Sequence, residues 1–213
     1  MVGSLGLAAS GDGAISTSAV QGRRADLADA TLAVLGERGY AAATLKEIAD
    51  RSEFSDGALR YYFHNRSDLI SYSVRHYKAE CVNRYDVIVD TAVSAEELLQ
   101  RVVASMAATL VDDAPMHRLW YDLRSSAMFE PGVRDAAQEI DGWLQAMIWR
   151  IVTRGAELAG LVPAYEARTT YAIVDGVFEA ALVALTFGSE EAAVAGFVAS
   201  ATAVMPGLLR LDK

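Results

Sequence analysis

The segment GALRYYF at residues 57–63 crowds an arginine and three aromatic rings into a short stretch of chain. The guanidinium of Arg60 can donate hydrogen bonds to a guanine edge or to a phosphate, and the hydroxyl groups of Tyr61 and Tyr62 can reach phosphates. Gly57 has no side chain, so the backbone there can approach a nucleic-acid strand closely. These residue types suit hydrogen bonding to nucleic acid if the local structure turns them towards solvent.

Capping signals on both sides of this segment predict three successive helices. Each signal is a hydroxyl or amide side chain that can accept a hydrogen bond from the backbone N–H three residues later. The caps are Thr44, Ser55 and Asn65, and the helices predicted after them are Leu45–Arg51, Asp56–Phe63 and a fourth helix that runs to about Asp90. Apolar residues at helical spacing predict a first helix from Arg23 to Arg38, which Gly39 ends.

The third predicted helix has two faces with different tasks. Leu59 and Phe63 lie one turn apart and can face a core, which turns Arg60 and Tyr61 outward. Two short capped helices joined by a tight turn are typical of a helix-turn-helix, whose second helix lies in the major groove of DNA. A helical hairpin with exposed tyrosines has the same spacing, so spacing alone leaves both interpretations open.

The distribution of charge favours contact with DNA through one end of the molecule. The formal net charge is −9, which excludes a protein that coats nucleic acid through bulk positive charge. Residues 21–80 carry nine basic and nine acidic side chains, whereas residues 81–213 carry ten basic and eighteen acidic ones. An acidic body would repel DNA from everywhere except the neutral N-terminal segment.

The composition predicts an all-α fold. Hydrophobic residues make up 53% of the chain and there are only four prolines, so long helices account best for the sequence. Breaks at 114–115, 130–132, 160–163 and 188 predict five helices after the fourth, nine in total. We expect a flexible tail over residues 1–20, a helix-turn-helix domain over 21–70 whose fourth helix continues to about 90, and a helical ligand-binding and dimerisation domain over 71–213.

Several absences limit the class of protein. The single cysteine, Cys81, cannot form an internal disulfide, and residues 1–20 lack the features of a signal peptide. The longest apolar stretch is interrupted by Asp175 and Glu179, which favours a buried helix over a membrane span. We therefore expect a cytoplasmic protein without a membrane partner.

The run GERGYAAATLKEIADRSEFSDGALRYYFHNRSDLI resembles the N-terminal signature of the TetR family of transcriptional regulators over about fifty residues. By matched position, the resemblance implies DNA contacts at Thr44, Ser55, Asp56, Ala58, Arg60, Tyr61, Tyr62 and Arg66, and Gly57 and His64 complete the predicted DNA-binding set. Two positions depart from the family pattern, because Glu53 replaces a usual glycine in the turn and Arg60 replaces a usual tyrosine.

The last two predicted helices, Pro163–Phe187 and Ser189–Leu209, are apolar on nearly all sides and rich in alanine and glycine. A helix that is hydrophobic all round must be buried on more than one face. A large monomeric core would satisfy this requirement. The resemblance implies instead a homodimer through these helices, eight and nine, which would present two reading heads to a palindromic site.

Methionine and aromatic residues in the C-terminal half could line a cavity for an apolar or aromatic ligand. The predicted ligand-binding set is Met106, Trp120, Met128, Phe129, Trp143, Met147, Asp175 and Glu179, with Arg118, Arg124 and His117 as further polar candidates. Core packing is the better explanation for any single apolar member, and the cavity interpretation concerns these residues as a group.

Catalytic motifs are missing from the sequence. The three histidines are scattered, no glycine-rich phosphate loop follows a strand, and we expect neither a metal ion nor a cofactor. The prediction is a homodimeric transcriptional regulator, a repressor released from double-stranded operator DNA by a small apolar or aromatic effector. A helical ligand-binding or protein-interaction dimer without operator binding is the alternative, ahead of an all-helical enzyme.

Overall fold

A computed structural model describes residues 12–212 of the chain, with side chains from residue 19 onward except that of Ala42. The predicted all-α fold is confirmed. The N-terminal helices, here called the head, are α1 (Asp12–Ala42), α2 (Leu45–Arg51), α3 (Asp56–Tyr62) and α4 (Arg66–Cys81). The remaining helices, here called the body, are α5 (Asp86–Thr91), α6 (Ala95–Asp112), α7 (Ala114–Ser126), α8 (Arg134–Ala159), α9 (Ala167–Phe187) and α10 (Glu190–Val204).

The three predicted helix caps are confirmed in the head. Thr44 Oγ1 accepts from the N–H of Glu47 at 3.1 Å, and Ser55 Oγ accepts from the N–H of Ala58 at 3.2 Å. Asn65 Oδ1 likewise accepts from the backbone N–H three residues later, at 2.9 Å. Each bond satisfies one of the donors that a helix start leaves without a partner, so the starts of α2, α3 and α4 are fixed locally.

Helix α1 changes direction at Gly39, where the helix was predicted to end. Gly39 has φ 76° and ψ 169°, a left-handed φ that favours glycine, and the helix resumes for a short stretch to Ala42. The next residue, Tyr40, donates its backbone N–H to Asp122 Oδ2 of α7 at 2.7 Å. A Cβ on Gly39 would lie 3.2 Å from that same oxygen, so the bend fits closely against the body.

Three features differ from the predicted elements. Helix α1 begins at Asp12, so residues 12–20 of the predicted tail are helical, while residues 1–11 lie outside the described part of the chain. The fourth helix divides into α4 and α5, because Arg150 of α8 donates to the carbonyl of Val82 at 2.7 Å and to Asp86 at 2.8 Å and holds a turn there. A short antiparallel strand pair, Val162–Pro163 with Leu209–Arg210, also joins the two ends of the α9–α10 hairpin.

Two hydrophobic clusters organise the described residues. The head cluster contains Leu27, Leu35, Ile48, Leu59, Phe63 and Leu69, but it also takes Leu119, Trp120 and Leu123 from α7 and Val133 and Ile140 from the start of α8 and the turn before it. The second cluster lies among α6, α8, α9 and α10. Helix α7 therefore belongs to both halves of the molecule, since it packs under the head and also borders the body core.

Helices α9 and α10 carry more apolar surface than the single chain buries. Helix α9 and the segment Glu190–Leu208, which is α10 with the helical turn after it, are long and apolar enough, by length and composition alone, to cross a membrane, yet only 33% and 22% of their most apolar windows are buried. Val183 and Phe187 of α9 are exposed, and so are Gly196 and Val198 of α10. These helices pack against each other, and their outward faces form a continuous surface of small apolar residues.

Candidate nucleic-acid interface and cavity

Helix α3 turns one face into the head and the other to solvent. Leu59 and Phe63 are buried in the head cluster, as predicted. Tyr61 lies on the opposite side with 80% of its surface exposed, and Arg60 is also exposed. The half-buried ring of Tyr62 meets the Tyr61 ring edge-on, with 4.9 Å between their centroids. The outward face therefore offers a guanidinium and a phenol hydroxyl on a helix that its buried side holds in place.

Asp56 holds the guanidinium of Arg60. Arg60 Nε donates to Asp56 Oδ2 at 2.7 Å, one helical turn away, and both side chains keep contact with solvent. The pair orients Arg60 at the surface but adds a negative charge to the face that would meet phosphates. Asp56, predicted as a DNA contact, is thus engaged by Arg60 within the protein.

The other predicted DNA-binding positions of α2 and α3 are mostly accessible. Thr44, Ser55, Gly57 and His64 are exposed, and Ala58 is half-buried. A Cβ placed on Gly57 would have only the Ser55 hydroxyl nearby, at 3.8 Å, so open space faces the first turn of α3. The hydroxyl groups of Thr44 and Ser55 cap their helices and still face solvent.

Arg66, a predicted DNA contact, is engaged within the protein. Its guanidinium folds back onto the end of α1, where it donates to the backbone carbonyls of Tyr40 and Ala43 and stacks on the Tyr40 ring at 4.4 Å. The sequence places Arg66 at the first position of a helix, but it does not show that the backbone carbonyls of Tyr40 and Ala43 lie beside it. Arg66 joins α4 to α1 in this structure.

Lys46 is a basic residue of the head that the sequence analysis did not single out. It is exposed on α2 and lines a groove between α2 and α3 together with Ala49, Asp50, Phe54, Ser55, Asp56 and Arg60. Its position two residues after the Thr44 cap was the available signal, because such a residue lies in the first turn of the helix. The groove brings a second positive side chain close to Arg60.

A cavity in the body is lined by residues of five helices, α4, α6, α7, α8 and α9, and of the turn between α4 and α5. It has a volume of about 70 Å³. Four of the eight predicted ligand-binding residues line it, namely Met106, Trp120, Met147 and Asp175. His117, a further polar candidate, also lines it, as do Lys78, Tyr121 and Tyr171, which the sequence analysis missed. Lys78 lies on the buried face of α4. A lysine within a long helix is normally expected at the surface, so the sequence did not indicate that this one is buried.

The structure places the other four predicted ligand-binding residues outside this cavity. Met128 and Phe129 are 68% and 82% exposed, because α7 ends at Ser126 and the chain leaves the body there. Glu179 is exposed on the outer side of α9, and Trp143 packs against the head cluster. For these residues, the prediction depended on helix ends and rotations that tertiary packing sets.

Most charged groups at the cavity have a partner. Arg84 forms an ion pair with Asp113 at 2.7 Å, and Arg124 donates to Asp175 at 2.6 Å. The hydroxyl of Tyr121 also donates to Asp175, at 2.9 Å, and burial together with this carboxylate raises the pKa of Tyr121, so the phenol stays protonated. Asp175 is thereby neutralised and hydrogen-bonded inside the wall.

His117 adds no charge to the cavity. Its Nε2 lies 3.1 Å from the carbonyl of Thr109, a distance at which the protonated nitrogen donates, and its ring meets Phe178 edge-on. Burial lowers the pKa of His117 to about 3, and the nearby Lys78 lowers it further in the same direction. The imidazole is therefore neutral at pH 7.

Lys78 is the exception to this pairing. Only 3% of it is exposed, and its ammonium has no hydrogen bond or ion pair to any described residue. The ammonium lies 5.7 Å from the ring centre of Tyr77 and 5.8 Å from that of Trp120. Burial lowers the pKa of Lys78 to about 8, so the amine still carries a positive charge at pH 7.

A second cavity of about 280 Å³ adjoins the first. Nearly all of its lining is apolar and comes from α6, α8, α9 and the segment after α10; Leu98, Leu99, Val102, Ile151, Val152 and Leu161 are members. Ile148 and Val174 line both cavities, so the two cavities are neighbours. Within residues 12–212, no group of three or more acidic, histidine or cysteine side chains is placed to hold a metal ion.

Comparison with known proteins finds relatives of one kind. Residues 27–72 match the family model described as bacterial regulatory proteins, tetR family. The chain is 31% identical over 115 residues to the HTH-type transcriptional regulator BetI of Burkholderia thailandensis, covering 53% of this chain and 58% of BetI. It is 26% identical over 157 residues to the HTH-type transcriptional regulator PksA of Bacillus subtilis, covering 73% and 76%. The match thus spans little more than half the length of the BetI relative.

The fold recurs among solved structures. A protein from Saccharomonospora viridis, solved in complex with choline, superposes with a TM-score of 0.71 over 89% of this chain and 98% of its own. The two sequences are 17% identical, so the similarity concerns the fold.

Proposed function

Because the chain belongs to the tetR family of bacterial regulatory proteins, we propose that it is a sequence-specific DNA-binding transcriptional regulator that acts in the cytoplasm. The observation that carries the proposal is the outward face of α3, where Arg60 and Tyr61 are exposed while Leu59 and Phe63 are buried. A helix fixed in this way can enter the major groove without losing its support.

The proposed contacts fall into two groups. Arg60 and Tyr61 reach base edges or nearby phosphates from α3, and Lys46 adds a positive charge across the groove from α2. Thr44 and Ser55 place exposed hydroxyl groups and helix starts beside the same surface, where phosphate is favoured. Arg66 acts as a positioning residue, because its guanidinium ties α4 to α1.

A homodimer through α9 and α10 is the second part of the proposal. Their outward faces are apolar, exposed in the single chain and built from small residues that let helices approach closely. Pairing the two helices with those of a second copy would form a two-fold four-helix interface. The dimer would carry two heads for two half-sites of a palindromic operator.

The body cavity is the proposed effector site, and release from DNA by an effector would make the protein a repressor. The choline found in the structural relative supports a small-molecule role for this fold. Helix α7 connects the two sites, since Tyr121 and Arg124 bind Asp175 at the cavity and Asp122 accepts from Tyr40 in the head. An effector can weaken operator binding only by as much as it binds more tightly to a conformation in which the spacing of the two heads does not fit the operator.

The test begins with selection of duplexes from a random library by the full-length protein, followed by fluorescence anisotropy with the enriched duplex and a shuffled one. We expect the selected duplex to bind at least a thousandfold more tightly than the shuffled one at physiological salt. Arg60→Ala and Tyr61→Ala should each weaken specific binding by about tenfold or more. Arg210→Ala, an exposed arginine of the body, is the matched control and should change little.

If the selection enriches no sequence although the protein is an intact dimer, the alternative of a helical ligand-binding dimer without operator binding is favoured. Unchanged affinity for the selected duplex in both Arg60→Ala and Tyr61→Ala would show that α3 does not recognise the DNA sequence.

A further inference from the structure

Three hydrogen-bond donors without partners lie together beside the first cavity. The buried indole N–H of Trp120 and the buried hydroxyl of Tyr77 have no hydrogen-bond partner among the described residues, and the ammonium of the buried Lys78 forms no ion pair with a described carboxylate. The distances from Lys78 to the two aromatic rings, below 6 Å, show that all three belong to one neighbourhood. A lysine can only donate, and so can an indole. The Trp120 indole N–H therefore has no acceptor in the wall, and Lys78 has no carboxylate paired with it.

The neighbouring carboxylates do not supply that charge. Asp113 is engaged by Arg84, and Asp175 is engaged by Arg124 and Tyr121. His117 is neutral and uses its Nε2 on a backbone carbonyl. Arg124 also pairs with Asp141 at 3.4 Å, so these carboxylates are all engaged by arginines, whereas the buried ammonium of Lys78 is paired with none of them. A buried charge without a partner is costly. A ligand with a single negative charge would remove that cost.

The space beyond Lys78 is apolar. The first cavity alone is small, but it shares two wall residues, Ile148 and Val174, with the second cavity of about 280 Å³. Rotation of these aliphatic side chains would join the two spaces into one elongated site. Such a site has its charge at one end and hydrocarbon walls along the rest, and this is the shape and polarity of an amphipathic acid.

We propose that the effector is a monocarboxylate with an unbranched or slender apolar tail, whose carboxylate binds the Lys78 ammonium and the Trp120 indole N–H while its tail passes Ile148 and Val174 into the second cavity. This inference rests on the proposed function only in calling the ligand an effector. Binding itself is a property of the body and can be measured without DNA.

Direct binding to the full-length protein tests the charge of the ligand. Calorimetry and quenching of tryptophan fluorescence would compare octanoate, octan-1-ol and octylamine, which share one chain and differ in the polar group. We expect octanoate to bind at least tenfold more tightly than octanol, because a charge-assisted hydrogen bond to a buried donor is strong, and octylamine to bind most weakly. Equal binding of octanoate and octanol, preference for octylamine, or no binding of any of the three would overturn the proposal.

Two substitutions test the role of Lys78. Lys78→Met should weaken octanoate at least tenfold and erase its advantage over octanol, whereas Lys78→Arg should retain the preference for the acid. Arg168→Met, an exposed residue at the start of α9, is the matched control for loss of one positive charge. Octanoate bound by Lys78→Met as tightly as by the natural chain would exclude Lys78 as the carboxylate partner, and the comparison of the three ligands stands even if a variant fails to fold.

Chain length tests the second cavity. Each buried methylene should strengthen binding by roughly threefold to fourfold, so affinity should rise from butanoate to octanoate. Leu99→Trp fills the second cavity from its partly exposed wall and should flatten that rise while butanoate binding stays the same. An unchanged rise in this variant would place the tail elsewhere and would refute the extended site.

Failure of the proposed function would look different. If octanoate binds with the expected preference but the protein selects no DNA sequence, the ligand site stands and the regulator does not. If operator binding is specific and no acid binds, the proposed regulator stands and the proposed ligand site does not.

Discussion

Replacing Lys78 by methionine should make the ligand-free protein more stable at pH 7. Folding removes this ammonium from water, and no described carboxylate pairs with it. A buried charge without a partner destabilises the folded state, and an apolar side chain of similar length removes the destabilisation. Methionine is unbranched and adapts to irregular apolar surroundings, so the packing of α4 against the body should be kept.

The size of the effect follows from the lowered pKa. Burial lowers the pKa of Lys78 from 10.5 to about 8. Each pKa unit corresponds to about 1.4 kcal/mol, so the protonated amine destabilises the folded state by about 3 kcal/mol. Imperfect packing of the new side chain offsets part of this, and we expect the free energy of unfolding to rise by about 1–3 kcal/mol.

Urea denaturation at fixed protein concentration, at pH 7 and at pH 10, measures the effect. Because the folded-state pKa lies below the unfolded one, the destabilisation is complete below about pH 8, and it is relieved as the pH rises towards 10.5. In that window the unfolded state binds more protons, so the natural chain gains stability relative to the variant. The difference between the two proteins should therefore be largest at pH 7 and smaller at pH 10.

Lys46→Met is the control, since Lys46 is exposed on α2 and its loss should change stability by no more than about 0.5 kcal/mol. A Lys78→Met protein that is less stable than the natural chain at pH 7 would refute the reasoning. A stabilisation that is the same at both pH values would also refute it, because the gain would then come from packing and not from charge.

Three further predictions concern the head and the dimer. Asp56→Asn removes a carboxylate from the outward face of α3 and frees the guanidinium of Arg60. In anisotropy across salt concentrations, affinity for DNA should rise by about threefold to tenfold, and the slope of log affinity against log salt should steepen by about one. An unchanged slope would contradict this prediction. Gly196→Arg places a charge on the exposed face of α10 and should convert the dimer to a monomer, as measured by light scattering. Gly142 of α8 is another exposed helical glycine with open space around it, so Gly142→Arg should leave the mass unchanged. The same mass for both variants would argue against the α9–α10 interface. Gly39→Ala should lower the free energy of unfolding by about 1–2 kcal/mol because of the left-handed φ and the nearby Asp122 oxygen, while Gly22→Ala in regular helix should raise it slightly; equal effects would show that the bend is not strained by a side chain.

The parts of the fold that depend on near neighbours in sequence were predictable. The caps at Thr44, Ser55 and Asn65 act on the backbone three residues later, so sequence spacing contains the whole interaction. The division of α3 into a buried and an exposed face follows equally from helical geometry, because Leu59 and Phe63 are one turn apart. The helix-turn-helix and the exposed Arg60 and Tyr61 were therefore available from the sequence.

The parts that depend on distant segments were not predictable in the same way. Arg66 binds carbonyl groups more than twenty residues earlier, and the partners of Asp175 lie on α7 more than fifty residues away. Met128 and Phe129 had the right chemistry for a cavity, but the end of α7 left them in solvent. Lys78 had the wrong chemistry for a core, and only the packing of five helices around it showed that it is buried.

The sharing of α7 between the two hydrophobic clusters bears on how the protein unfolds. A fragment cut at residue 81 would keep α1–α4 but lose Leu119, Trp120 and Leu123, and with them one side of the head cluster. It would also lose the carboxylates of Asp122 and Glu130 that hold Tyr40. The head therefore has no complete core of its own. In hydrogen exchange, the slowest amides of α1, α4 and α7 should open with one common free energy, as members of a single cooperative unit that crosses the apparent boundary between head and body.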